Sequence, residues 1–270
     1  MKRLCKNKGG KIVAKIDMMD NVIYILVNTR EQNVIAHGIT FDQFIQSLPT
    51  PLTNLLLLKQ QRYNGEYHFH TKLSFVLNEQ LEDLIKNGSY KSSEFCWVDF
   101  EDVFSLDTIE GQELAELLYL GHMKKHLSLP FFQKLNNRFA YLTDVDGWLN
   151  KIYFRYWSDF YSTLGGVLGN KFNSIKLEKS LINFRKRKDY PPVDQKVLYQ
   201  LNTLFTEGIV FSFHHITQNR TQTILPFWVV GDYYDMDEMN EQFLEVSKEN
   251  ADGHIIFDKK QKEWAITIHS

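Results

Sequence analysis

Cysteine is almost missing from this chain of 270 residues: Cys5 and Cys96 are its two. They make no disulfide framework, so the expectation is a protein of the reducing cytoplasm. No run approaches the roughly 18 apolar residues that a membrane-crossing helix needs, which argues against a membrane partner. Residues 1–11 carry five positive charges but no apolar stretch of the kind a signal peptide has, and read as a solvated terminus. An excess of one charge is lacking too. Thirty-one Lys and Arg face 33 Asp and Glu, which leaves no global field to draw the protein to nucleic acid or an anionic membrane. The familiar signatures of phosphate cradles, hydrolase elbows and cysteine pairs do not occur: there is no Walker A loop, no G-x-G-x-x-G, no G-x-S-x-G and no C-x-x-C. Gly165, Gly166 and Gly169 fall within or just after a helical pattern rather than between strand and helix, where a phosphate loop would need them.

Glycine (14) and proline (6) are scarce, while Phe, Tyr and Trp supply 14% and apolar residues 43%. Such a composition implies a substantial core filled by rings and large aliphatic side chains rather than by close approach of backbones. The best-patterned stretch is 94–130. It opens with the apolar strand Phe95-Cys96-Trp97-Val98, leaves through the acidic Asp99-Phe100-Glu101-Asp102, and continues as a helix of about 20 residues. Asp107 and Glu110 have the spacing of a capping box, Leu114, Leu117, Leu118 and Gly121 fall on one face, and Pro130 stops the helix.

Elsewhere, alternation predicts a three-stranded meander over 12–37 and a helix capped by Thr40 with Gln43. Asn64-Gly65 predicts a two-residue hairpin between 55–63 and 66–77, followed by a helix that Gly88 ends. Further hairpins are expected over 138–156, 209–230 and 254–268, with helices after Ser158, Pro192 and Asp235. A strand pair followed by a helix thus recurs near 22–48, 55–87, 138–168 and 209–247. The predicted fold is α+β: a mostly antiparallel sheet built from hairpins, with helices packed on one face. By composition the chain divides into an α+β region 1–168, a polar and basic connecting segment 169–191, and a smaller α+β region 192–270, which can equally form one continuous domain.

Few residues carry chemistry. His68 and His70, two apart on the expected hairpin, share a strand face, and His122 and His126, four apart, share a helix face; each is a usable spacing for metal ligands. Asp99 and Glu101 at a strand end are the candidate catalytic carboxylates. Against a metal, the hairpin register sets Lys59 opposite His70. His214 and His215 are expected in a strand, one on each face. Lys179, Arg185, Lys186, Arg187 and Lys188, with aromatics nearby, are the candidate phosphate contacts. Tyr153, Tyr156, Trp157 and Tyr161 are candidates for an interface. The balance favours a non-catalytic interaction or regulatory protein without a cofactor, working through a protein partner or self-association. One alternative is a hydrolase with a divalent metal held by the His/Asp/Glu set. Another is a nucleic-acid-binding protein acting through 179–188, which the balanced charge disfavours.

Overall fold

The computed structural model describes residues 21–59, 65–92, 94–122, 128–144, 149–175 and 190–269. Period-two apolar patterning lays down the strands β1 (Val22–Asn28), β2 (Asn33–His37), β3 (Asn54–Lys59), β4 (Glu66–Tyr67), β5 (Ser74–Val76), β6 (Phe95–Phe100), β7 (Phe139–Thr143), β8 (Leu149–Phe154), β9 (Ile209–Ser212), β10 (Thr217–Gln218), β11 (Gln222–Val229), β12 (Gly253–Asp258) and β13 (Glu263–Ile268). The helices are α1 (Phe41–Gln46), α2 (Leu81–Asn87), α3 (Gly111–Gly121), α4 (Trp157–Ser174), α5 (Gln195–Tyr199), α6 (Asn202–Phe205) and α7 (Met236–Val246). Every strand joins one antiparallel sheet in the order β13-β12-β11-β9-β1-β2-β8-β7-β6-β3-β5-β4, with β10 beside β11. The expected α+β architecture is therefore present, and the recurring hairpin and helix are seen as β1-β2-α1, β7-β8-α4 and β9-β11-α7.

Alternation along β6 shows how the layers form. Phe95 and Trp97 join the larger core with Leu55, Leu57, Tyr141 and Phe154, covered by α1, α2, α4, α5 and α6. Cys96, Val98 and Phe100 point the other way, where α3 covers them through Leu117 and Leu120. A third cluster puts Met239 and Phe243 of α7 on Tyr24, Val210 and Trp228. The expected helical layer is thus joined by two helices, α3 and α7, on the opposite face, which is why every residue of β6 is buried. Phe41 sits at the centre of the larger core, its ring 4.7 Å from Trp97, 5.1 Å from Tyr141 and 5.7 Å from Phe95.

Local signals held where they were short. Thr40 and Gln43 form the capping box of α1, Asp235 accepts from the amides of Asp237 and Glu238, and Gly88 closes α2 at φ +62°. Two expectations fail. Asp107 lies in a 3₁₀ turn (Val103–Thr108) with its carboxylate directed to His68, Glu110 makes no capping bond, and α3 begins only at Gly111. Its buried stripe is Leu117, Leu120 and Gly121, and Leu118 is exposed. The Asn64-Gly65 hairpin is not formed as predicted either, although residues 60–64 lie outside the described segments. β3 pairs with β5, Leu55 opposite Val76, and the reversal falls at residues 68–73, where Lys72 takes φ +61°. Lys59 accordingly faces Cys96, and its ammonium meets Glu94 at 2.7 Å. The first strand of the meander predicted over 12–37 also lies outside the described residues.

Some of the scarce glycines are placed where backbones do approach closely. A Cβ on Gly165 of α4 would lie 2.2 Å from the Val193 carbonyl oxygen, and one on Gly169 would lie 2.9 Å from that of Pro191. This helix lies directly on the chain at 191–193, with Val193 N–H donating to the Gly165 carbonyl at 3.0 Å. Gly165→Ala should therefore cost about 1–3 kcal/mol of unfolding free energy, because backbone must move. Gly111→Ala, which meets nothing within 4 Å, should be neutral or stabilising in the same denaturant titration.

Candidate functional site

Strand β6 (Phe95–Phe100) and the Asn136-Asn137-Arg138 run meet at one carboxylate. Asp99, on β6, is 8% exposed. Its oxygens accept from the backbone N–H of Arg138 at 2.9 and 3.1 Å and from that of Phe139 at 2.8 Å, where β7 begins. The Arg138 side chain turns away to Asp159 in the first turn of α4, with Nε at 3.1 Å and Nη2 at 2.7 Å from one oxygen. Asn137 is fully buried and spends its amide on the same loop: Oδ1 accepts from Phe132 N–H at 2.7 Å, and Nδ2 donates to the carbonyls of Pro130 and Phe139. Asn136 adopts φ +48° and its side chain accepts from Arg155.

Beside this junction lies a cleft of about 60 Å³ lined by Asp99, Glu101, Arg138, Asp159 and the apolar Leu52 and Phe154. Burial pushes the Asp99 carboxyl up to about 7, against the two backbone donors and the Arg138 charge, which pull it down. A carboxyl that titrates near neutrality can exchange a proton at physiological pH. Its oxygens, however, already hold the start of β7. Glu101 is exposed at the mouth of the cleft.

The proposed metal ligands are placed differently from the hairpin reading. His68 and His70 stand in the 68–73 reversal, not on one strand face: His68 Nδ1 is 2.9 Å from Thr71 Oγ1 and its Nε2 is 3.2 Å from Asp107, while His70 is exposed. His122 is the exposed C-cap of α3, and His126 lies outside the described residues. Among the described residues no group of three or more His, Cys, Asp or Glu side chains is arranged to hold a metal ion. His214 and His215 lie in a 3₁₀ turn and are both exposed, so the expected division between strand faces does not occur; His215 Nδ1 is 2.7 Å from the buried Ser212 hydroxyl, which closes the turn. Lys179, Arg185, Lys186, Arg187 and Lys188 fall outside the described residues. Of the four aromatic interface candidates, Tyr156 is exposed and Trp157 partly buried. Tyr153 and Tyr161 are core residues, because the alternation of β8 and the inner face of α4 turn them inward. Cys96 is buried in β6, where burial pushes its thiol up and out of the reactive range.

What composition and spacing did not single out is a set of exposed rings at the β4 end of the sheet. Phe69 is 80% exposed, Phe104 78% and Tyr67 58%. The Lys72 ammonium lies 3.8 Å from the Phe69 ring centroid and 5.9 Å from that of Tyr67. The His68–Asp107 contact ties this reversal to the 3₁₀ turn that carries Phe104. No family model, curated protein or solved structure matches the chain.

The Asp99 titration gives a signed expectation. Between about 4 and about 7 the folded state keeps a proton that the unfolded chain has released, so this group's contribution to stability is full at the acid end and is lost as pH rises through 7. The unfolding free energy of the wild type relative to Asp99→Asn should fall by roughly 2–3 kcal/mol from about pH 5 to about pH 8. A difference that stays flat in urea titrations would place the Asp99 carboxyl in its ordinary range.

Proposed function

We propose that the protein is a non-catalytic binding protein that docks a protein partner through the rings at the β4 end of the sheet. The observation that carries this reading is the exposure of Phe69 and Phe104 in segments held together by the His68–Asp107 contact. Large rings left in water on a fixed scaffold are the side chains that dominate interface energetics. Lys72, poised over Phe69 and Tyr67, adds a positive charge. The partner that fits is a protein surface offering an apolar side chain beside a carboxylate. The polar residues that catalysis would draw on are, by contrast, bonded within the fold, Asp99 to backbone and Asp159 to Arg138.

The competing catalytic reading has one observation in its favour, the Asp99 carboxyl near neutrality in a cleft with Glu101. In that reading Asp99 is a general acid or base, and hydrolytic activity would vanish in Glu101→Gln as well, a change at an exposed side chain.

Affinity capture with wild type, with Phe69→Ala/Phe104→Ala and with Tyr199→Ala, an exposed ring far along the chain, separates these readings. The expected result is a partner held by wild type and by Tyr199→Ala, with affinity reduced at least about 30-fold in the double variant, all three proteins being equally stable. A partner retained by the double variant, or none captured by wild type, would sink the proposal.

A further inference from the structure

The sheet ends in two unlike strands. β4 is two residues long and carries Glu66, whereas β13 runs for six. Among the described residues β13 pairs with β12 alone. Hydrogen-bond parity fixes which of its backbone groups face outward. His269 N–H donates to the Asp252 carbonyl at 2.7 Å, and Gly253 stands opposite Ile268. Residues 263, 265, 267 and 269 therefore bond to β12, and Trp264, Ile266 and Ile268 turn their N–H and C=O groups away from it. The other side of β12 agrees, since Lys259 N–H donates to Thr221 on the β11 side, which turns 253, 255 and 257 to β11 and leaves 254, 256 and 258 to β13. Natural edge strands are blunted by Lys, Pro, a bulge or a cover. The run Trp264-Ala265-Ile266-Thr267-Ile268 has no Lys or Pro, its register with β12 is unbroken, and Ala265, Thr267 and Ile268 are exposed.

We propose that β13 pairs with β13 of a second copy of this chain, antiparallel about a two-fold axis through Ile266, so that the two sheets run on as one. Self-complementarity of the strand selects the occupant and the register. With Ile266 opposite Ile266, Trp264 meets Ile268 and Ala265 meets Thr267, so ring and aliphatic side chains align on the face that already carries the larger core. All three outward residues of each strand then bond, which a register centred on Ala265 does not achieve. At each end Glu263 stands opposite His269, a pair of complementary charge whenever the imidazole is protonated. His269 is already held at the edge by its contact with His254, 2.9 Å between Nε2 and Nδ1. An interface made this way is isologous and closes on itself, as a stable dimer requires.

This surface lies at the opposite end of the sheet from Phe69, so it stands or falls independently of the docking reading. Sedimentation velocity of the purified chain over a wide concentration range should show a species of twice 31.9 kDa. Ile266→Pro removes an outward N–H and no bond to β12, and should leave a folded monomer with an unchanged circular dichroism spectrum. Glu263→Lys and His269→Glu should each raise the dissociation constant by roughly tenfold, and the double variant should restore it. Phe69→Ala/Phe104→Ala should leave the dimer intact. A monomer at every concentration overturns the proposal, and slow amide exchange at Ile266 in that monomer would assign the edge to another part of the same chain. A dimer indifferent to Ile266→Pro and to the charge exchange overturns it equally.

Discussion

A buried carboxylate governs how the middle of this molecule is joined. Asp99 leaves a strand that is otherwise apolar and takes the first two amides of the β7 segment, Arg138 and Phe139. An amide buried without a partner costs about 1–3 kcal/mol, and the chain answers with an acid whose charge is itself costly to bury. The raised titration of Asp99 is the visible sign of that conflict. Through Arg138 the same junction fixes Asp159 and so the first turn of α4. Through Asn137 it fixes the loop at 130–132 that leads into it. Asp99, Asn137 and Arg138 together set where β7 starts, where α4 starts and how the segment between α3 and β7 returns to the sheet.

Around that junction, packing rather than polarity sets the shape. An antiparallel sheet this wide survives only if both faces are covered where it is apolar on both. β6 meets the condition by placing Phe95 and Trp97 under α1 and Cys96 and Val98 under α3. Rings fill the space between layers, as the composition implies, but the spacing of α4 from its neighbours is set by Gly165, Gly166 and Gly169. A low glycine count therefore did not mean an absence of close backbone approach. Four of the glycines, Gly121, Gly165, Gly166 and Gly169, sit where a helix must touch another stretch of the chain.

Much of the fold was legible because its signals are local. A capping residue such as Thr40 or Asp235 acts on amides two or three residues away, and a period of two needs only the strand itself. The Asn64-Gly65 turn misled because β3 answers to two partners at once, β5 on one side and β6 on the other, and their combined pairing outweighs a turn preference. The start of α3 was misplaced because Asp107 had a competing partner in His68, distant in sequence. The candidate site was half legible. Asp99 was marked by its position at a strand end, but its partners lie 39 and 40 residues on and are main-chain amides, which every residue has and no pattern reveals. The exposed Phe69 and Phe104 were hidden for the opposite reason: in a chain so rich in rings, nothing but burial distinguishes an outer ring from an inner one.

The distribution of satisfied groups also bears on what such a surface can do. Chemistry needs a polar group held in place yet free to act, and a group whose lone pairs are all engaged in holding strands together is held without being free. Asp99 has both oxygens on main-chain amides, Asp159 gives one oxygen to Arg138, and His68 has both nitrogens within reach of neighbours. Rings invert this relation. Phe69 and Phe104 are anchored by the segments that carry them while their faces remain in water, so burying them elsewhere releases free energy without undoing any bond in the fold. On the proposed reading, docking through these two rings needs no further rearrangement of the protein.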